Sequence, residues 1–148
     1  MKTYQYIESG LDNIYLINGF EHHTTPYGEG TSIHNVQELN RIIGHAVIAM
    51  PKALNGAELR FLRLEMEQTQ RDLASIIGAT EQTLRLWEKS RSKPIPGSAD
   101  RLLRVLYNEF IGGDGDIRRM LERLAELDRQ ETAPLHLREE GNHWCVAC

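Results

Sequence analysis

Thr69-Gln70-Arg71-Asp72-Leu73-Ala74-Ser75-Ile76-Ile77-Gly78-Ala79-Thr80-Glu81-Gln82-Thr83-Leu84-Arg85-Leu86-Trp87-Glu88-Lys89-Ser90 is the stretch on which the reading of this chain turns. Thr69 and Asp72 have the spacing of a capping box, in which a hydroxyl accepts a free backbone N–H at a helix start and an acid reaches back. Leu73, Ala74, Ile76 and Ile77 then recur at helical spacing. Gly78 ends that helix, because glycine adopts the left-handed conformation that closes helices. Thr80 caps the next one, and Glu81 in its first turn is favoured by the helix dipole. Leu84 and Trp87 give the second helix an inward face. Ala74 is small enough to let the two helices approach, and Ile77, Leu84 and Trp87 fill the space between them. Two short capped helices joined by a glycine-containing turn form a helix-turn-helix unit.

The outer side of the second helix carries Glu81, Gln82, Thr83, Arg85 and Lys89, all polar or charged. Glutamine can pair with adenine through two hydrogen bonds and arginine with guanine. A helix lying in the major groove touches bases chiefly through its N-terminal residues. That places Thr80, Glu81, Gln82, Thr83 and Arg85 among the expected DNA contacts, with Gln82 and Arg85 carrying most sequence preference. Thr69 and Gln70 begin the preceding helix, where free N–H groups favour a phosphate. Lys89, Arg91 and Lys93 follow the second helix and are expected to grip the backbone. Phosphate contacts set position; base contacts set preference.

Charge around this stretch supports the same surface. The 148-residue chain has a formal net charge of −4. Between Arg85 and Arg104 the sign reverses: Arg85, Lys89, Arg91, Lys93, Arg101 and Arg104 face Glu88 and Asp100 alone. One basic segment in an acidic protein is the footprint expected when a single surface meets phosphate. A solvated helical face is the plain alternative.

Outward from the centre, Asn55 starts a helix with Glu58 at capping-box spacing and Leu59, Leu62 and Met66 as its buried stripe. Asn35, with Glu38, opens an earlier helix through Leu39, Ile42, Ile43 and Ala46, which Pro51 ends. Residues 3–35 read as two to four short strands broken by turn signals at Ser9-Gly10-Leu11-Asp12-Asn13, Asn18-Gly19 and Pro26-Tyr27-Gly28-Glu29-Gly30. On the C-terminal side, Ser98 is expected to cap a long helix with Leu102, Leu103, Val105, Leu106 and Phe110, stopped by Gly112-Gly113. Ile117, Met120, Leu121, Leu124 and Leu127 mark a final amphipathic helix, and the chain beyond Arg129 turns polar and irregular.

Gln70-x-x-Leu73-Ala74, then Gly78, then Thr83-Leu84-x-x-Trp87-Glu88-Lys89 resembles the XRE family, the λ repressor/Cro-type DNA-binding domains. Where that family's motif closes on Trp-Glu, a basic residue and glycine, this chain has Ser90, a departure at a helix end and not on the reading face. The resemblance covers roughly residues 55–111 and implies a compact bundle of about five helices on operator DNA. The order of β-rich module, connecting helix and XRE-like domain is similar to the zinc-finger/helix-turn-helix regulators that include MqsA-type antitoxins. Those bind zinc through paired Cys-x-x-Cys motifs in the N-terminal module. This chain has no cysteine before Cys145, and reads Tyr6-Ile7-Glu8-Ser9-Gly10 where such a motif would begin. That kinship therefore implies a lost metal site and a module held by Tyr4, Tyr6, Ile14, Tyr15, Leu16 and Phe20.

Other chemistries have thinner support. Cys145 and Cys148 form a Cys-x-x-Cys with His143 and His136 nearby, but zinc needs four framed ligands and a reactive dithiol needs cationic or helix-terminal neighbours. His22 and His23 would point to opposite faces of a strand. Asp12, Glu21, Glu29 and His34 lack the spacing of an acid–base site, and there is no nucleophile or phosphate-loop motif. No apolar run approaches the ~20 residues that cross a bilayer, and the N-terminus lacks a signal-peptide core. The expected protein is mostly α with a small β-containing N-terminal module. Its parts are a β-rich module at 1–35, a linking helix at 36–54, a five-helix λ repressor-like DNA-binding bundle at 55–111, a C-terminal helix at 112–129 and a polar tail at 130–148. It is expected to be a cytoplasmic transcriptional regulator binding double-stranded DNA as a homodimer, with no catalytic role, metal, cofactor or membrane contact. The alternative expectation is an antitoxin that also represses its own operon, its module bound to a toxin protein.

Overall fold

Turn chemistry shapes the N-terminal segment of the computed structural model, which describes residues 3–113, 115–127 and 135–146. β1 (Tyr4–Gln5) pairs antiparallel with β2 (Tyr15–Leu16). A 3-10 turn over Ile7–Ser9 lies between them and ends at Gly10, whose φ of 83° suits a residue without Cβ. β3 (Phe20–Thr25) and β4 (Gly28–Ile33) form a second hairpin about Pro26 and Tyr27, with Phe20 opposite Ile33. Four short strands thus lie within residues 3–35, as the alternation and turn residues suggest.

This module does not stand on its own packing. Tyr6, Leu11 and Leu16 are buried in the same cluster as the helical core, and Tyr4, Ile14 and Phe20 pack against it. The Tyr6 hydroxyl donates to Asn40 Oδ1 at 3.0 Å. Tyr15, expected inside, is exposed.

Among the described residues six helices follow: α1 (Val36–Ala49), α2 (Gly56–Glu65), α3 (Gln70–Ile77), α4 (Glu81–Lys89), α5 (Gly97–Gly112) and α6 (Asp116–Leu127). Four of them begin within residues 55–111, and α6 packs against α3 and α5. Asn55 and Glu58 form a complete capping box, each side chain accepting the other's backbone N–H at 2.9 Å. Asn35 behaves differently from expectation. It sits left-handed at φ 47°, makes no cap bond to the backbone, and donates its amide to Glu38 Oε2 at 3.0 Å. At Thr69 only half of the expected box forms: its hydroxyl accepts Asp72 N. α5 starts after Pro96 and not at Ser98, the Pro96 carbonyl accepting Asp100 N at 2.9 Å.

The buried face of α1 is also shifted. Ile43, Gly44 and Val47 are buried, whereas Ile42 and Ala46 are exposed. The cause is α5. A Cβ on Gly44 would lie 2.1 Å from the Tyr107 hydroxyl oxygen, so α1 meets α5 over the one position that admits the ring. Arg104 completes the joint. Its Nη1 donates to the Ile48 and Met50 carbonyls at 2.8 Å each, its Nη2 to the Lys52 carbonyl, and its Nε to Asp100 Oδ1 at 2.6 Å. Asp100 Oδ2 in turn accepts Leu54 N at 2.6 Å. One guanidinium thus satisfies carbonyls that the end of α1 leaves open. Burial alone would raise the Asp100 pKa, but the hydrogen bonds from Arg104 and Leu54 outweigh it and hold the carboxyl below its usual value.

Glu109 accepts Ile117 N and Arg118 N at 2.7 and 3.0 Å, capping α6 from a neighbouring helix. Of the expected α6 stripe, Leu121 packs on the core and Ile117 is more open; the side chains of Met120, Leu124 and Leu127 lie outside the described residues. Residues 137–146 correct the expectation of an irregular tail. β5 (Leu137–Glu140) pairs with β6 (His143–Val146). Gly141 and Asn142 both take positive φ, 53° and 65°, the conformation of a type I′ hairpin turn. Cys145 lies in β6, and Cys148 is outside the described residues. Among the described residues no helix is long and apolar enough to cross a membrane.

Candidate nucleic-acid interface

The two central helices form as their caps dictate. Thr69 Oγ1 accepts Asp72 N at 3.0 Å, and Thr80 Oγ1 accepts Thr83 N at 3.1 Å. Gly78 takes φ 77° at the end of α3, and its Cβ position is empty space, so the glycine is needed for conformation and not for room. Leu73, Ala74 and Ile76 of α3 are buried with Leu84 of α4, while Ile77 and Trp87 are partly buried at the edge.

α4 divides sharply. Leu84 is fully buried and Glu88 nearly so, whereas Glu81, Gln82, Arg85 and Lys89 are exposed. Thr83 is half-buried, its hydroxyl accepting from that of Thr80. Thr69 and Thr80 are N-caps at the starts of α3 and α4. The expected base-reading side chains Gln82 and Arg85 therefore share one open flank, as the sequence requires.

Behind that flank runs a connected polar chain. Arg63 of α2 donates from Nε to Glu88 Oε2 at 2.6 Å and from Nη2 to Glu88 Oε1 at 2.9 Å. Its remaining Nη1 donates to the Gln68 carbonyl at 3.0 Å. The pair is buried, with side-chain exposures of 9% and 4%. Gln70 donates to Glu88 Oε1 at 3.2 Å, and its amide oxygen faces Arg85 Nε at 3.5 Å. Arg85 Nη2 donates to Glu81 Oε1 at 2.9 Å. Hydrogen bonds thus run from the interior at Arg63 to the exposed head of Arg85. Gln70, expected as a phosphate anchor at a helix start, turns its amide inward onto Glu88. The reason is electrostatic: a buried carboxylate has four acceptor sites, and Arg63 fills only two.

Glycine sets how α2 meets α4. A Cβ on Gly56 would lie 2.1 Å from the Trp87 carbonyl oxygen and 2.8 Å from that of Ser90. The first N–H groups of α2 donate to the loop after α4, Gly56 N to the Lys93 carbonyl at 3.2 Å and Ala57 N to the Arg91 carbonyl at 3.1 Å. The start of one helix is thereby fastened to the end of the other.

The basic run is less free than its composition suggests. Arg85 pairs with Glu81, Arg104 is consumed by Asp100 and the end of α1, and Arg91 is turned onto the N-terminal module. Arg91 Nη2 donates to the Gly10 carbonyl at 2.8 Å and to Asp12 Oδ1 at 3.2 Å. Lys89, Lys93 and Arg101 are exposed and make no ion pair with another described residue. Sequence reasoning overlooked Arg63, Gly56 and the inward role of Glu88. A signal existed for Arg63, which lies in the apolar stripe of Leu59, Leu62 and Met66, where a charge demands a buried partner. Which partner it finds depends on how α2 and α4 pack.

Compared with models of known protein families, with curated proteins and with solved structures, the chain matches none.

Proposed function

We propose that this chain is a sequence-specific transcriptional regulator that lays α4 in the major groove of double-stranded DNA. The observation that carries the reading is the division of α4. Its apolar and acidic inner side is locked to α2 and α3, and its outer side offers Gln82 and Arg85 together, both exposed. Such a surface is preorganised, because the buried pair with Arg63 holds the helix at a set rotation before any ligand arrives.

The Glu81–Arg85 pair does not block this role. An exposed pair one helical turn apart contributes about 0.3–0.5 kcal/mol, whereas arginine paired bidentately with guanine discriminates by about 1–3 kcal/mol. The guanine wins, and Glu81 is left to accept from a cytosine amine. Lys89 and Lys93 supply phosphate contacts beside the helix. Two copies acting on half-sites about 34 Å apart would double the footprint with two-fold symmetry.

Fluorescence anisotropy tests the proposal, using duplexes from upstream of the gene and pooled genomic fragments over a salt series. Arg85→Ala costs about 1–3 kcal/mol and relaxes preference at one base pair, while Lys93→Ala weakens every sequence alike and flattens the salt slope by about 1. Equal losses from both variants on all sequences would overturn the assignment, as would a native chain that binds no duplex.

A further inference from the structure

Arg91 stands just past Ser90, the residue that closes α4, where a guanidinium would reach the DNA backbone. Its side chain instead donates from Nη2 to two acceptors of the N-terminal module, the Gly10 carbonyl and the Asp12 carboxylate. Both backbones are fixed. On one side the Arg91 and Lys93 carbonyls accept the opening N–H groups of α2. On the other, Gly10 closes its turn left-handed beside Leu11, which is 3% exposed within the core. The Arg91 and Asp12 side chains are left to move.

Resting on the DNA-binding reading above, we infer that Gly10 and Asp12 hold Arg91 away from the DNA phosphates, so that the N-terminal module sets how many backbone contacts the interface makes. With the latch closed, Lys89 and Lys93 flank the recognition helix and Arg91 is neutralised. With it open, a third cation joins them. The Asp12 side chain is 86% exposed, so a cationic partner seated on the module can take its carboxylate. Unlike Arg85, which meets one exposed carboxylate, Arg91 is also held by the fixed Gly10 carbonyl; once the Asp12 carboxylate is taken only that neutral acceptor remains, and a charged phosphate outcompetes it.

The test is the salt dependence of duplex binding by the full chain in four forms: native, Asp12→Asn, Arg91→Ala and the double variant. Each phosphate neutralised on duplex DNA adds about 0.9 to the slope of log affinity against log salt. Asp12→Asn steepens the native slope by about one such step, Arg91→Ala leaves it unchanged, and the double variant returns to the Arg91→Ala value. A flattened slope in Arg91→Ala would mean that Arg91 already contacts phosphate, and the latch is overturned. Steepening that persists in the double variant would place the effect in the Asp12 charge alone, which overturns it equally. Failure of the native chain to bind any duplex is a separate result that sinks the DNA reading itself. Amide hydrogen exchange gives a readout without DNA: Arg91→Ala speeds exchange across residues 7–12, and unchanged protection there also overturns the latch.

Discussion

Removing one member of the Arg63–Glu88 pair should damage this protein far more than removing both. The pair links α2 to α4 through two hydrogen bonds of 2.6 and 2.9 Å, with 9% and 4% of the side chains exposed. In Glu88→Leu the guanidinium keeps only the Gln68 carbonyl and loses its counter-charge. In Arg63→Met the carboxylate keeps only the Gln70 amide. Breaking a buried pair from either side costs about 3–5 kcal/mol, because an uncompensated charge remains in the interior. The double variant Arg63→Met/Glu88→Leu leaves no buried charge, and apolar replacements of similar volume are often neutral. It should therefore lie within about 2 kcal/mol of the native chain, giving a coupling of several kcal/mol in a double-mutant cycle. Urea unfolding followed by circular dichroism reads this directly. At a slope of about 1–3 kcal/mol per molar, each single variant moves its midpoint down by roughly 1–5 M, and the double variant recovers most of that. If the double variant were as unstable as the two single losses added together, the pair would not be the unit that holds α4, and the case for a preorganised reading surface would lose its support.

Gly56→Ala places a Cβ against backbone oxygens that cannot rotate away; overpacking of this kind costs about 1–3 kcal/mol, or roughly 2–12 °C in thermal midpoint for a chain of this size. Gly97→Ala, with open space at its Cβ, leaves the midpoint unchanged or raises it slightly, and serves as the control. Asp100 has a folded-state pKa below its ordinary value, so its contribution is complete above the unfolded pKa and disappears as pH falls through the folded one. Asp100→Asn should accordingly be clearly less stable than the native chain at pH 7, with the gap closing in urea titrations taken below pH 3.8. Tyr107 behaves oppositely: burial first, and the charge of Glu65 second, push its hydroxyl up to about 12. Its share of stability is present below pH 10 and is lost as pH rises towards that value, so Tyr107→Phe should flatten the alkaline limb of a stability–pH curve.

The elements of this chain that are legible from sequence are those whose cause is local. Asn55 with Glu58, Thr69, Gly78 and Thr80 place the starts and ends of α2, α3 and α4, since a cap depends on residues within one turn of itself. The turn residues of the N-terminal segment act locally too, and they mark two to four strands without fixing the bounds of each. Gly141-Asn142 carries an equally local turn signal that composition conceals, because the surrounding tail is polar. The rotation of α1 is not legible, since Gly44 acquires meaning only when Tyr107 arrives from α5. Nor is the fate of the arginines. Arg85, Arg91 and Arg104 look alike as letters, yet one lies on the open flank of α4, one is turned onto the N-terminal module and one caps a helix end.

Local sequence determined where helices begin and stop, which side of α4 is apolar, and which residue types stand on its other side. Capping and periodicity act over a few residues, so the order of letters is enough. Tertiary structure alone decided which charges remain free, because a guanidinium is claimed by whichever carboxylate or carbonyl the fold brings within about 3 Å. For Arg63 that partner lies on α4, for Arg104 at the end of α1, and for Arg91 on the N-terminal module.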